Sequence, residues 1–134
     1  MKKNTFIIVL LGLIVLYACK KEESPSERFT LLTTPLWTSD SLLANGEDAS
    51  GPGELLEKFK GDAKFNTDGS GYFGQYTGIW ALSGNDELIT IDSDSLQIPV
   101  TCYIEELTDL DFKIVTSFPV EPTLIDIRIT FKPK

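Results

Sequence analysis

The chain has 134 residues, with 20 acidic and 12 basic side chains, two cysteines and no histidine. Its formal net charge of −8 argues against nucleic acid as a partner, because a protein that binds phosphates needs a basic surface. Without histidine, the chain lacks the commonest general base and the commonest metal ligand. Serine–histidine triads and histidine-ligated zinc sites are therefore excluded.

The N-terminus has the order of an export signal, in which two lysines precede an apolar run over residues 6–16. A helix that crosses the ~30 Å hydrocarbon core of a bilayer needs about 20 apolar residues, so this run is too short for a permanent span. Residues 16–19 read Leu-Tyr-Ala-Cys, which resembles the lipobox of bacterial lipoproteins. We predict that residues 1–18 are a cleaved signal peptide and that Cys19 is the lipid attachment site and first residue of the mature protein.

Residues 19–33 are predicted to form a lipid-anchored flexible tether. The sequence Lys-Lys-Glu-Glu-Ser that follows Cys19 is too charged to pack, and it resembles the signal that sends lipoproteins of Bacteroidetes to the outer face of the outer membrane. Two or more acyl chains hold a protein stably on a bilayer. We therefore expect an outer-membrane lipoprotein, exposed on the cell surface or, as the alternative, facing the periplasm.

The rest of the chain is long enough for one domain, predicted over residues 34–134. Once the signal peptide and its two lysines are removed, 10 basic side chains face 20 acidic ones, a balance of −10. Such a surface favours a soluble domain that stands off an anionic membrane, and we expect a monomer. Because lipid consumes the sulfur of Cys19, Cys102 has no internal partner; we predict that it is a small buried residue.

Apolar and polar residues alternate along much of the domain, which is typical of strands that bury one face. Ile125, Ile127 and Ile129 are predicted to face the core, and the row formed by Ile98, Val100, Cys102 and Ile104 is predicted to do the same. Eight short strands are predicted, over residues 37–43, 63–66, 72–74, 77–83, 87–92, 98–105, 112–118 and 125–132.

Two of the connections between these strands, at 68–71 and 84–86, carry glycine with Asn or Asp, which supply the positive φ that tight hairpins need. The sole predicted helix is Gly53–Lys60, which would plug one end of the fold or pack outside it. Eight antiparallel strands with short connections predict an all-β, up-and-down, eight-stranded barrel, because closure removes exposed edges. A two-sheet β-sandwich is the alternative.

The order of these features resembles the lipocalin-like lipoproteins of Bacteroidetes. The resemblance lies in Trp37 at the start of the first strand, in Asp-Gly-Ser-Gly at 68–71, in Thr-Gly-Ile-Trp at 77–80, and in residues 104–108. It implies a lipocalin-like barrel, a setting at the cell surface or in the periplasm, and a cup for a ligand.

The first functional interpretation is a non-catalytic module that binds a small apolar or glycan ligand at the barrel mouth. Aromatic faces suit both ligand types, and the candidate ligand-binding residues are Trp37, Phe65, Phe73, Tyr76 and Trp80. The competing interpretation is that these rings fill the interior, since an eight-stranded barrel is just wide enough for its own side chains. A cup of ordinary size needs a cavity of about 300 Å³ or more.

The alternative function is a structural or accessory lipoprotein that binds an envelope protein through an exposed face, with Tyr72, Tyr76 and Tyr103 as natural anchors. No enzyme is predicted, because adjacent acids on a strand point to opposite faces and form no catalytic pair. No cofactor and no metal are predicted either, since the oxygen-rich segments 66–70 and 92–95 lack the closing Glu of a calcium loop.

Overall fold

The structure is a computed structural model that describes residues 25–134, so the predicted signal peptide, Cys19 and the first part of the predicted tether lie outside the described residues. Within that range, no helix is long enough and apolar enough to cross a membrane. The elements, in chain order, are α1 (Glu27–Thr33), β1 (Trp37–Ala44), β2 (Glu47–Asp48), a 3-10 helix (Glu57–Phe59), β3 (Asp62–Phe65), β4 (Ser70–Phe73), β5 (Tyr76–Ser83), β6 (Leu88–Asp92), β7 (Val100–Leu107), β8 (Phe112–Val120) and β9 (Thr123–Pro133).

All the strands except β2 form one closed antiparallel barrel. Each strand from β3 to β9 pairs with the strand before it in the barrel, and β9 pairs back with β1, from Pro133 opposite Trp37 to Ile127 opposite Ala44. The two-residue strand β2 only extends the sheet beside the end of β1. This closure confirms the predicted eight-stranded barrel and excludes the two-sheet sandwich.

Successive connections of such a barrel lie at alternate ends, which lets us name the two ends by what they carry. The helix end carries α1, the C-terminus and the connections 66–69, 84–87 and 108–111. The loop end carries the connections 45–61, 74–75, 93–99 and 121–122.

The predicted alternation is confirmed on the last strand, where Ile127 and Ile129 are buried inside the barrel. It is confirmed on β7 for Cys102 and Ile104, which are also buried, but it is wrong for Ile98, whose side chain is exposed. The reason is local: β7 begins at Val100, because the preceding proline has no N–H to donate to the sheet.

The hairpin connections use the predicted residue types. Between β5 and β6, Gly84, Asn85 and Asp86 all have positive φ, at 59°, 57° and 62°. Glycine adopts this region freely, and Asn and Asp do so more readily than other residues. The residue types at 84–86 therefore determine the backbone conformation of this turn, as the sequence predicts.

The folded domain begins earlier than residue 34, because α1 lies within the predicted tether. Ser26 caps this helix, since its hydroxyl oxygen accepts a hydrogen bond of 3.1 Å from the N–H of Phe29. Leu32 is buried in the core, and Arg28 donates a hydrogen bond of 2.7 Å to the carbonyl of Asp86. The predicted tether therefore overlaps the folded domain from Ser26 onward.

The predicted helix Gly53–Lys60 is wrong, since this segment is a series of turns that ends in the 3-10 helix. Gly53 has a φ of 78°, outside the helical region. The N–H of Leu56 bonds the carbonyl of Ala49 at 2.9 Å, so the backbone loops back on itself instead of forming helical bonds. Leu56 is buried, and the segment partly plugs the loop end of the barrel.

Candidate functional site

The two tryptophans are held by the backbone of the protein. The indole N–H of Trp37 donates a hydrogen bond of 3.0 Å to the carbonyl of Leu32. The indole N–H of Trp80 is shared between the carbonyls of Asn66 and Ser70, at 3.1 and 2.9 Å. Because buried polar groups need such partners, both indoles are structural and offer no free donor to a ligand.

An aromatic cluster fills the helix-end part of the barrel. Phe65 meets Trp80 and Phe112 edge to face, with ring centroids 5.7 Å apart in both cases, and Trp37 lies 5.6 Å from Phe112. Trp37 and Phe65 are 0% exposed. Three of the five candidate ligand residues, Trp37, Phe65 and Trp80, therefore serve as core, and the interpretation that rings fill the interior holds for this part of the barrel.

The interior is not filled at the loop end, where an apolar cavity of about 140 Å³ remains. Phe73 and Tyr76, the other two candidate residues, line it. The volume is less than half of the ~300 Å³ that a drug-sized ligand occupies, so a cup of ordinary size is excluded. It is close to the roughly 150 Å³ of an apolar cavity that holds one benzene molecule.

The lining of the cavity is almost entirely hydrocarbon, and no charged side chain contributes to it. The polar exceptions are Tyr76, Cys102 and Thr116, and the hydroxyl of Thr116 already donates a hydrogen bond of 2.9 Å to the carbonyl of Thr101. Burial raises the pKa of the Cys102 thiol to about 12, so that the group stays neutral. This chemistry suits an apolar group and gives a sugar few hydrogen-bond partners.

The long connection 45–61 forms one side of the cavity through Leu55, Leu56 and Phe59. The ring of Phe59 packs on Tyr76 with centroids 4.6 Å apart, and the N–H of Gln75 bonds the carbonyl of Lys58 at 2.8 Å. These contacts fix the connection to the β4–β5 turn. The connection that forms this side of the cavity is therefore held in place by the neighbouring strands.

Exposed apolar side chains at the loop end form what we call the apolar rim. Leu55 lies at the cavity opening, Ile98 belongs to the connection that carries the lining residue Leu96, and Val120 follows the lining residue Phe118 on the same face of β8. The rim consists of Leu55, Ile98 and Val120. Sequence reasoning missed it, because Leu55 was predicted in a helix and Ile98 in a strand; only Val120, in a predicted connection, was a usable signal.

The three tyrosines proposed as interface anchors do not share one face. Tyr72 is exposed on β4 and Tyr103 is exposed on β7, and β5 and β6 lie between these strands. Tyr76 is half-buried against Phe59 and lines the cavity.

Several acidic residues of the described range are engaged in turns and ion pairs. The Asp68 carboxylate accepts hydrogen bonds from the N–H and the hydroxyl of Ser70, at 2.9 and 2.6 Å, which holds its pKa below the usual value. Glu105 pairs with Arg128 at 2.7 Å. Across residues 25–134, no three carboxylate or thiol side chains come together as ligands for a metal ion.

Comparison with known protein families finds no family model that matches the chain, and comparison with curated proteins finds no match either. The site therefore has to be interpreted from its own geometry.

Proposed function

We propose that this chain is a non-catalytic lipoprotein of the bacterial cell envelope, held at the outer membrane by lipid on Cys19, whose barrel binds a small apolar group at its loop end. The order of basic residues, apolar run and Leu-Tyr-Ala-Cys supports the anchor. The likeness to lipocalin-like lipoproteins of Bacteroidetes supports the same setting.

The single observation that carries the binding function is the apolar cavity of about 140 Å³ beneath Leu55 and Phe59. Aromatic rings pack the helix end of the barrel, so its interior is asymmetric, with packed aromatics at one end and open apolar space at the other. An apolar cavity of this size stays dry and binds ring-sized apolar molecules. This supports an apolar ligand over a glycan.

Titration with benzene tests the binding function. The protein carries Cys19→Ser, which removes the lipid acceptor and leaves residues 25–134 untouched, and binding is followed by calorimetry. We expect saturable binding, and we expect Thr116→Phe to weaken it at least tenfold by filling the cavity. Ser117→Phe is the matched control, because the neighbouring residue lies on the opposite face of β8 and also loses one hydroxyl bond, to Asp126. A protein that binds no benzene would refute this function.

Mass spectrometry of the native protein tests the anchor. We expect the mature chain to begin at Cys19 and to carry diacylglyceryl mass on its sulfur. A native chain that keeps Met1, or that begins at residue 19 without lipid, would contradict the envelope assignment.

A structural or accessory role is the second candidate, and the apolar rim favours it. Exposed apolar side chains that gather in one place mark binding surfaces more often than those that are scattered. In this case the surface that contacts a partner protein lies around the cavity opening and not at Tyr72 or Tyr103.

A further inference from the structure

The cavity and the apolar rim meet at Leu55, and the other rim residues are exposed at the same end of the barrel. Leu55 belongs to both, because it lines the cavity and is 45% exposed. Protein interfaces commonly consist of a side chain buried in a pocket with a surrounding ring that excludes water. A small ligand would fill the cavity and leave Ile98 and Val120 uncovered.

The loop end points away from the predicted anchor. The chain enters the barrel through α1 at the opposite end, and from Cys19 to Ser26 it spans at most ~25 Å. A strand of eight residues, tilted as in small barrels, gives a height of roughly 20 Å. The tether is thus barely long enough to bring the opening back to its own bilayer.

The charge of the loop-end connections favours one kind of flanking group on an occupant. The connections at the loop end contain only two basic residues, Lys58 and Lys60. Their acidic residues are Glu47, Asp48, Glu54, Glu57, Asp94 and Glu121. This excess repels an anionic lipid surface and attracts basic side chains.

We propose that the loop end is a docking site for a protein segment that inserts one aromatic or branched aliphatic side chain into the cavity and places basic residues beside it. This proposal rests on the cavity binding proposed above and names the occupant. The apolar rim contacts the backbone of the bound segment around its inserted side chain. The acidic connections favour basic residues on either side of that side chain.

The test uses the mature protein anchored in phosphatidylcholine vesicles and three fluorescent, end-blocked pentapeptides: Lys-Gly-Phe-Gly-Lys, Glu-Gly-Phe-Gly-Glu and Lys-Gly-Ala-Gly-Lys. Anisotropy is measured at low ionic strength, and vesicles without protein correct for partition of the peptides. We expect the first peptide to bind about tenfold or more tightly than the alanine peptide, because only a phenylalanine fills the cavity. It should also bind about threefold or more tightly than the acidic peptide.

Two leucines at opposite ends of the barrel give a matched pair of variants. Leu55→Ser removes an exposed rim side chain and should weaken binding of the first peptide at least threefold. Leu110→Ser alters a leucine that is 62% exposed in the 108–111 connection at the helix end, and it should leave peptide binding unchanged. Both positions are exposed, so neither substitution should prevent folding.

The outcomes separate this proposal from the function on which it rests. If benzene does not bind, the cavity function fails and this proposal fails with it. If benzene binds but the three peptides bind equally weakly, only the docking proposal is overturned. If the anchored protein makes vesicles cluster, the exposed rim inserts into lipid, which also overturns it.

Discussion

Trp37 and Leu32 are joined by a hydrogen bond of 3.0 Å from the indole N–H to the backbone carbonyl, and this bond links α1 to the first strand of the barrel. Both side chains are fully buried. Removal of α1 would expose Trp37 and leave its N–H without a protein partner. The helix is therefore part of the fold although it precedes the first strand.

We predict that a chain of residues 34–134 is less stable than a chain of residues 25–134 by at least about 3 kcal/mol. Loss of a buried leucine costs about 1.5–3 kcal/mol, and an indole that loses its partner costs about 1–3 kcal/mol more. Urea unfolding followed by tryptophan fluorescence measures the difference. Equal unfolding midpoints for the two chains would show that α1 does not stabilise the barrel.

The buried thiol of Cys102 should resist modification. Burial raises its pKa from the usual 9.0 to about 12, so that at pH 8 the thiolate fraction is about 1,000-fold lower than in the unfolded chain. In the Cys19→Ser background, a water-soluble disulfide reagent should label Cys102 at least 100-fold more slowly in native protein than in urea. Rapid labelling of native protein would mean that the cavity admits water and reagent.

The free energy of unfolding should not change between about pH 5.5 and 8.5, because the chain has no histidine to titrate in this range. Hydrogen bonds from Ser70 lower the pKa of Asp68, and the Lys134 ammonium lowers the pKa of Asp62. A carboxylate with a lowered folded pKa adds stability above its unfolded pKa of about 3.9, and this contribution disappears as the pH falls through the folded value. Within the range below about pH 8.5, the melting temperature should therefore fall only in acid.

A pair of variants isolates the contribution of Asp68. Asp68→Ala should lower the melting temperature above pH 5, and its difference from the unaltered protein should shrink as the pH approaches 2. Asp109→Ala, at an exposed carboxylate of the 108–111 connection, serves as the control and should change little. A difference for Asp68→Ala that stays constant with pH would mean that the hydrogen-bonded charge is not its cause.

The sequence predicted the barrel because strand alternation and turn residues are local signals. Ile127 and Ile129 repeat every second position, and the turn at 84–86 needs positive φ. The helix α1 was missed because seven residues give too few turns for a 3.6-residue period to stand out. At 53–60, the apolar spacing suggested a helix, but Gly53 is left-handed and the N–H of Leu56 bonds the distant carbonyl of Ala49.

The candidate site was predictable in kind but not in detail. That aromatic residues line the interior follows from composition and alternation, yet which rings fill space and which leave it open depends on contacts between distant strands. Phe65 packs against Trp80 and Phe112, whereas Phe73 and Tyr76 face the cavity. No local pattern distinguishes these two groups.

Enlarging the cavity should change what it binds. Ile114 lines it and is buried, so Ile114→Ala should cost about 2–4 kcal/mol of stability and should let the protein bind naphthalene more tightly than the unaltered protein does. Ile104→Ala is the control: Ile104 is equally buried on the inner face of β7 but does not line the cavity. It should destabilise the protein by a similar amount without the gain in binding. Urea unfolding measures the loss of stability of each variant, and calorimetry measures its affinity for naphthalene. If both variants bound naphthalene more tightly, the cause would be a general loosening of the core and not the enlarged cavity.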